Sequence, residues 1–242
     1  MNKVVKIISV ITFLAGIFPV LAGDQKARQI MEKNDSLTEP ASRKSNSVMV
    51  IMRGEQKEIK EFSLAGKKYG KETRSRSTFT KPTRLEFLSW SVPGEDTLQW
   101  IKLSSGSVRK IASSDKNGSF VGSHFYYEDM SDRDIDDYDY RFLGEEKMDG
   151  VDCYKIEAVK IKGTKVYEKS IAYVRKSDYF VIRAELYEKQ GHTKTMTVDK
   201  IEVINGIITP RKITMERTDG SGKTIIYLKT IEYNTPVSDE LL

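Results

Sequence analysis

Phe180-Val-Ile-Arg-Ala-Glu-Leu-Tyr187 decides the fold class. Apolar and polar side chains alternate along it. Phe180, Ile182, Ala184 and Leu186 fall on one face and Arg183 and Glu185 on the other, the period of a half-buried strand. The pair Gln190-Gly191 follows, and similar turn signals recur at Asp149-Gly150, Lys162-Gly163, Asn205-Gly206 and Asp219-Gly-Ser-Gly222. Each supplies residues that tolerate positive φ, as tight hairpins require. Thr224–Tyr233 repeats the alternation and groups Ile225, Tyr227, Ile231 and Tyr233. Strands joined by tight hairpins form an antiparallel sheet, which excludes a wound α/β fold. Helical signals are few: Gln25–Asn34 carries Ala27, Ile30 and Met31 at helical spacing, with short pieces near Ser123–Met130 and Val237–Leu242.

The first residues carry an export signal. Lys3 and Lys6 precede the apolar run Ile7–Val20, and Val20-Leu-Ala22 places small residues for cleavage before Gly23. Residues 1–22 are therefore expected to be a secretory signal peptide and 23–242 one domain, since no repeat, low-complexity tract or proline-rich linker divides them. That length buries a core without staples. The single cysteine, Cys153, has no partner for a disulfide and is expected as a small buried residue. Net charge is +5, and Lys3 and Lys6 leave with the signal. An exported, mildly basic chain without an arginine-rich helix or an aromatic nucleic-acid motif is a poor nucleic-acid binder. The charge is uneven: Arg53–Arg84 is rich in Lys and Arg, and Glu128–Asp139 is dense in carboxylates. Two solvated faces account for this, as does a basic rim facing anionic headgroups or an acidic partner.

Strands such as Val48-Met-Val-Ile-Met52 and Thr224-Ile-Ile-Tyr-Leu228 are apolar on both faces. A large bent sheet of this kind leaves a concave side for helices alone, or for helices and a ligand, to fill. The methionines at 49, 52, 130 and 196 suit an adaptable lining as well as an ordinary core. Polar motifs are weaker. Asp132, Asp134 and Asp136 alternate, but Asp137 stands where an EF-hand loop needs Gly and Leu143 where it needs Glu, so a solvated acidic loop is expected, with a weak surface calcium site as the alternative and no metal assigned. Asp219-Gly-Ser-Gly-Lys223 lacks phosphate-loop spacing. Only His124 and His192 are available as imidazole bases, and no G-x-S-x-G elbow is present. No cofactor is implied.

At the centre of the chain, Arg109-Lys-Ile111 leads into a Gly/Ser/Asn loop, the aromatic cluster Phe125, Tyr126 and Tyr127, and an acidic turn. Val108–Met130 resembles the R-K-I…G-S-F-x-G-S-D-F-x-Y-E-D run of the outer-membrane lipoprotein-sorting family, the LolA-like periplasmic carriers. His124 replaces the Asp of that run, and the likeness continues through Tyr138–Leu143 and Glu145–Tyr154. The resemblance implies a mainly-β fold: an incomplete antiparallel β-barrel with a few helices closing the concave face. It also implies a non-enzymatic periplasmic carrier whose apolar hollow holds acyl chains of lipoproteins or related lipids on the way to the outer membrane. An inner-membrane transporter or outer-membrane acceptor would be its protein partner.

Trp100 matches a family tryptophan that precedes the R-K-I strand, although the Tyr and Pro following it there are absent. Trp100, Phe120, Phe125, Met130, Met52 and Trp90 are the candidate lipid-binding residues, and Arg53, Arg74 and Arg76 the candidate basic rim. Two other classes stay open. One is a protein-binding sensor on the same fold. The other is an acyl hydrolase built on Ser123 and His124.

Overall fold

The computed structural model describes residues 20–242, so the signal-peptide reading of 1–22 falls almost wholly outside the described residues. Helix α1 (Val20–Asp35) is followed by β1 (Ser42–Arg53), β2 (Gln56–Tyr69), β3 (Glu72–Lys81), β4 (Leu85–Ser91), β5 (Leu98–Leu103) and β6 (Val108–Ile111). After an irregular segment come β7 (Tyr138–Met148), β8 (Val151–Lys160), β9 (Lys169–Arg175), β10 (Val181–Glu188), β11 (Gly191–Ile204), β12 (Ile207–Arg217) and β13 (Lys223–Tyr233). All thirteen strands join one antiparallel sheet in the order β6-β5-β4-β3-β2-β1-β13-β12-β11-β10-β9-β8-β7. The edge strands β6 and β7 do not pair with each other, and the barrel stays open. This is the expected mainly-β, incomplete-barrel architecture. The predicted turns join neighbouring strands; at β7–β8, Asp149 and Gly150 take φ of 48° and 84°, the left-handed pair that a two-residue hairpin demands.

One face of the sheet is covered by two different lids. α1 lies over β7–β9, where Ala27 and Ile30 pack on Ile156, Ala172 and Val174. The second lid is mostly irregular backbone. Between β6 and β7 the chain makes short 3-10 turns at Ser113–Asp115, Phe120–Gly122, Glu128–Met130 and Ile135–Asp137. From this segment Phe120, Phe125 and Tyr127 sink into a core with Met49, Ile51, Phe79, Phe87 and Met215. Phe120 meets Phe87 edge-on at 4.9 Å and Tyr127 at 5.9 Å, the geometry aromatic quadrupoles favour. The predicted helical pieces near Ser123–Met130 and Val237–Leu242 are single 3-10 turns, Glu128–Met130 and Asp239–Leu241. Among the described residues, no helix is long and apolar enough to cross a membrane.

Two bulges redirect side chains that simple alternation groups together. A register shift between Val181 and Arg183 leaves Ile182 on the face opposite Ala184 and Leu186, where it packs with Cys153, Ile171 and Tyr173. On β13 the register jumps from Leu228 to Thr230, skipping Lys229. Ile225 and Tyr227 therefore face away from the lids, while Tyr233 reaches the covered face and meets Thr209 Oγ1 at 3.0 Å. An extra residue in one strand reverses the inward–outward pattern beyond it.

Candidate functional site

The lids do not fill the space beneath them. A cavity of about 620 Å³ opens between the end of α1, the chain leading into β1, and the covered face of β8–β13. A second, of about 260 Å³, lies under the Glu128–Arg133 stretch. The two adjoin, sharing Arg133, Tyr138, Ala158, Ser170, Ala184 and Met196 as wall residues. The cause is local and legible in the register. Ala158 pairs with Ser170, and Ala172 with Ala184, so four small side chains sit together across β8, β9 and β10 where the sheet faces inward. Small residues there leave room that Leu or Phe would occupy. Farther along the same face Met196 pairs with Met215, and thioethers conform to varied shapes.

Beside the hollow, the second lid is locked to the sheet by buried charge. Lys194 of β11 is 0% exposed. Its Nζ lies 3.7 Å from Asp129 Oδ2 and 2.9 Å from the centre of the Tyr126 ring, and donates to the His124 carbonyl at 3.3 Å. Asp129 also accepts the Tyr126 N–H at 2.7 Å and the Tyr167 hydroxyl at 2.8 Å. Burial dominates the titration of both partners, pulling the Lys194 ammonium down to about 8 and pushing the Asp129 carboxyl up. A second pair, Lys160 to Glu128 at 2.9 Å, ties the lid to β8. The acidic stretch is thus not one solvated face: Glu128 and Asp129 turn inward, whereas Asp136 pairs with Arg28 of α1 and Asp134 caps its own turn and accepts the Gly94 N–H.

The sequence-predicted residues divide between the two faces. Phe120 and Phe125 are buried in the lid core, and Met130 packs against it. Trp100 pairs with Leu88, and Trp90 with Leu98, on the face turned away from the lids; Arg74 stacks 4.4 Å over the Trp90 ring. Met52, paired with Lys57 and Lys223, shares that opposite face with Val48 and Val50. None of these six lines the two cavities. Nor do the three arginines gather around one opening. Arg53 donates to the Gly122 carbonyl of the lid. Arg74 pairs with Glu72 at 2.6 Å, and Arg76 donates to the backbone of Glu240 and Leu242 near the C-terminus. The sheet wall comes instead from β7–β13, and Met196 is the one of the four singled-out methionines that lies on it.

Ser123 and His124 have separate partners. Ser123 Oγ accepts the Phe125 N–H at 3.1 Å, while His124 Nδ1 lies 2.8 Å from Thr224 Oγ1, which also accepts the His124 N–H at 3.0 Å. Burial, then the Arg53, Arg217 and Lys194 charges, hold the His124 imidazole below its ordinary value and keep it neutral. Cys153 is fully buried, and burial pushes its thiol up, away from thiolate chemistry. The imidazole fits because Gly222 lies beneath it. With φ of 154°, a Cβ built there would fall 2.2 Å from the Met52 carbonyl and 2.8 Å from His124 Nε2. Gly222→Ala is expected to lower stability by at least about 1–3 kcal/mol. Chemical denaturation checks it; a midpoint equal to that of the unaltered protein would refute the packing of His124 against this turn.

Comparison with known proteins fits this architecture. A family model described as "Uncharacterized protein" matches residues 71–242. The structure of a DUF1329 family protein from Desulfovibrio piger is 30% identical, with a TM-score of 0.82 over 91% of this chain and 95% of that one. An outer membrane lipoprotein-sorting protein domain from Vibrio parahaemolyticus superposes with a TM-score of 0.84 at 22% identity, covering 90% of this chain and 96% of the other. A LolA superfamily protein from Nitrosomonas europaea gives 0.68 at 21%, over 89% and 96%. The chain belongs to the DUF1329 family, and its fold is LolA-like. No curated protein matches it. In this LolA-like chain His124 occupies the position of the motif's Asp, and Thr224 and Gly222 of the β12–β13 hairpin provide its seat.

Proposed function

We propose that this LolA-like chain is a non-catalytic periplasmic carrier that shelters acyl chains of a lipoprotein or related lipid and moves them toward the outer membrane. The observation carrying the reading is the hollow of about 620 Å³ whose sheet-side wall presents Ala, Met, Ile and Val side chains from β8–β12, with polar and charged residues such as Asn34, Asp35, Arg43 and Arg133 around it. That size lies within the roughly 300–1,000 Å³ typical of small-molecule sites. Sequestering a chain there gains on the order of 0.8 kcal/mol per methylene removed from water. Met196 and Met215 adapt to chains of differing shape. The LolA-like fold supports the same reading, as does the export signal proposed for residues 1–22, with cleavage after Ala22 releasing the carrier.

Native mass spectrometry with lipid extraction on protein purified from the periplasm tests the proposal. Near one acyl-bearing species per protein is expected. A clean unliganded mass that also refuses added fatty acids and lipopeptides would rule the carrier role out.

A further inference from the structure

The hollow contains a cation without an ion-pair partner among the described residues. Arg133 sits in the extended piece between the turns Glu128–Met130 and Ile135–Asp137, and it lines both cavities. Its guanidinium carbon stands 5.0 Å from the centre of the Tyr138 ring. The other charged groups of the smaller cavity are mostly matched: Lys160 with Glu128 at 2.9 Å, Lys169 with Glu157 at 2.8 Å, and Asp129 with Lys194 at 3.7 Å. Asp132 on these walls and Asp35 at the larger cavity are exposed, and among the described residues no carboxylate oxygen comes within the 4.0 Å of an ion pair with Arg133. Arg43, also exposed, lines the larger cavity but not the smaller.

Arg133 is exposed, so water, together with the Tyr138 hydroxyl and the through-space charge of Asp129, satisfies it while the hollow is open. An acyl chain that enters expels that water, and a guanidinium left beside apolar walls without a counter-ion is costly. An oxyanion removes the cost, because the planar fork of Arg meets a carboxylate or phosphate with two parallel hydrogen bonds. We propose that the cargo is an acyl amphiphile with an anionic oxyanion head, carboxylate or phosphate, seated on Arg133 with its chain along Ala158, Ala184 and Met196. This deepens the carrier reading and rests on it. It separates the cargo from lipids joined only through neutral esters and amides, which leave Arg133 unmatched.

Calorimetric titration of the delipidated protein with laurate, dodecyl phosphate and dodecanol provides the test. The two anions are expected to bind at least about tenfold more tightly than the alcohol. Arg133→Gln should erase that preference without changing dodecanol binding, and Arg43→Gln should keep it. The tighter of the two anions identifies the head as carboxylate or phosphate. Equal binding of alcohol and anions would overturn the head-group assignment while leaving the carrier reading intact. A preference lost in Arg43→Gln but kept in Arg133→Gln would overturn the placement. Refusal of all three ligands would defeat the carrier reading, and the assignment with it.

Discussion

An Ala158→Trp protein will fold and lose its acyl cargo. Ala158 borders both cavities, and its neighbour across β9 is Ser170, so an indole placed there projects into space that no other side chain claims. Small-to-large changes in a packed core cost about 1–3 kcal/mol because neighbours must move. Here the added volume enters a hollow of about 620 Å³, and the stability cost should fall below that range. The cost to binding is larger, since each methylene denied its place forfeits roughly 0.8 kcal/mol; three or four lost methylenes correspond to about a hundredfold weaker binding. Lipid co-purification and fatty-acid titration should both collapse while the thermal midpoint stays within a few degrees. Ser170→Phe, from the adjoining strand, should behave alike. Full cargo content in both folded variants would place the acyl chain elsewhere in the molecule.

Truncation of Lys194 should produce the largest loss of stability. Lys194→Ala strands Asp129 beneath the lid with its carboxylate facing Tyr126 and Tyr167 and no cation opposite. Breaking one side of a buried pair costs about 3–5 kcal/mol. In a chain of this size that is a fall in thermal midpoint on the order of 10 °C. Removing both charges, as Lys194→Met with Asp129→Asn, should recover most of it, because paired burial is offset by the desolvation of each ion.

Alkaline pH separates the unaltered protein from both variants. Lys194 titrates at about 8 in the fold against an ordinary 10.5, so between those values the unfolded chain binds a proton that the folded chain has released. This group's contribution to stability therefore rises with pH across that window, and its burden is fully present below about 8. Both variants should lack that slope. A Lys194→Ala protein as stable as the unaltered one at pH 7 would mean that the pair does not hold the lid.

The face assignments show where pattern reading stops. Alternation places Ala184 and Leu186 together inside, as the structure has them, but puts Ile182 with them. A one-residue bulge is invisible in a string of Val, Ile and Arg, yet it moves Ile182 across the sheet. The same limit explains the candidate site. Large aromatics and methionines are conspicuous in a sequence, and so Trp90, Trp100 and Met52 drew attention as lining residues. The cavity walls are set instead by what is small. Ala158, Ser170, Ala172 and Ala184 are unremarkable singly and form a site only when three strands bring them into register. The charges behave likewise: Asp129 belongs to an apparently solvated acidic run until β11 places Lys194 beneath it.

By itself the sequence determined the antiparallel sheet, its main hairpins, the helix that opens it and the LolA-like fold that its central motif implied. Those features are local. Period-two alternation fixes which side chains can share a face, and Gly-containing turns fix which neighbouring strands can pair. Tertiary structure alone decided that β6 and β7 are the unpaired edges, that an irregular lid buries Phe120 and Phe125, and that the hollow lies over β8–β12 with Arg133 at its junction. These depend on strand register and on contacts between distant residues. An empty space, unlike a strand, has no residues of its own to leave a pattern in the chain.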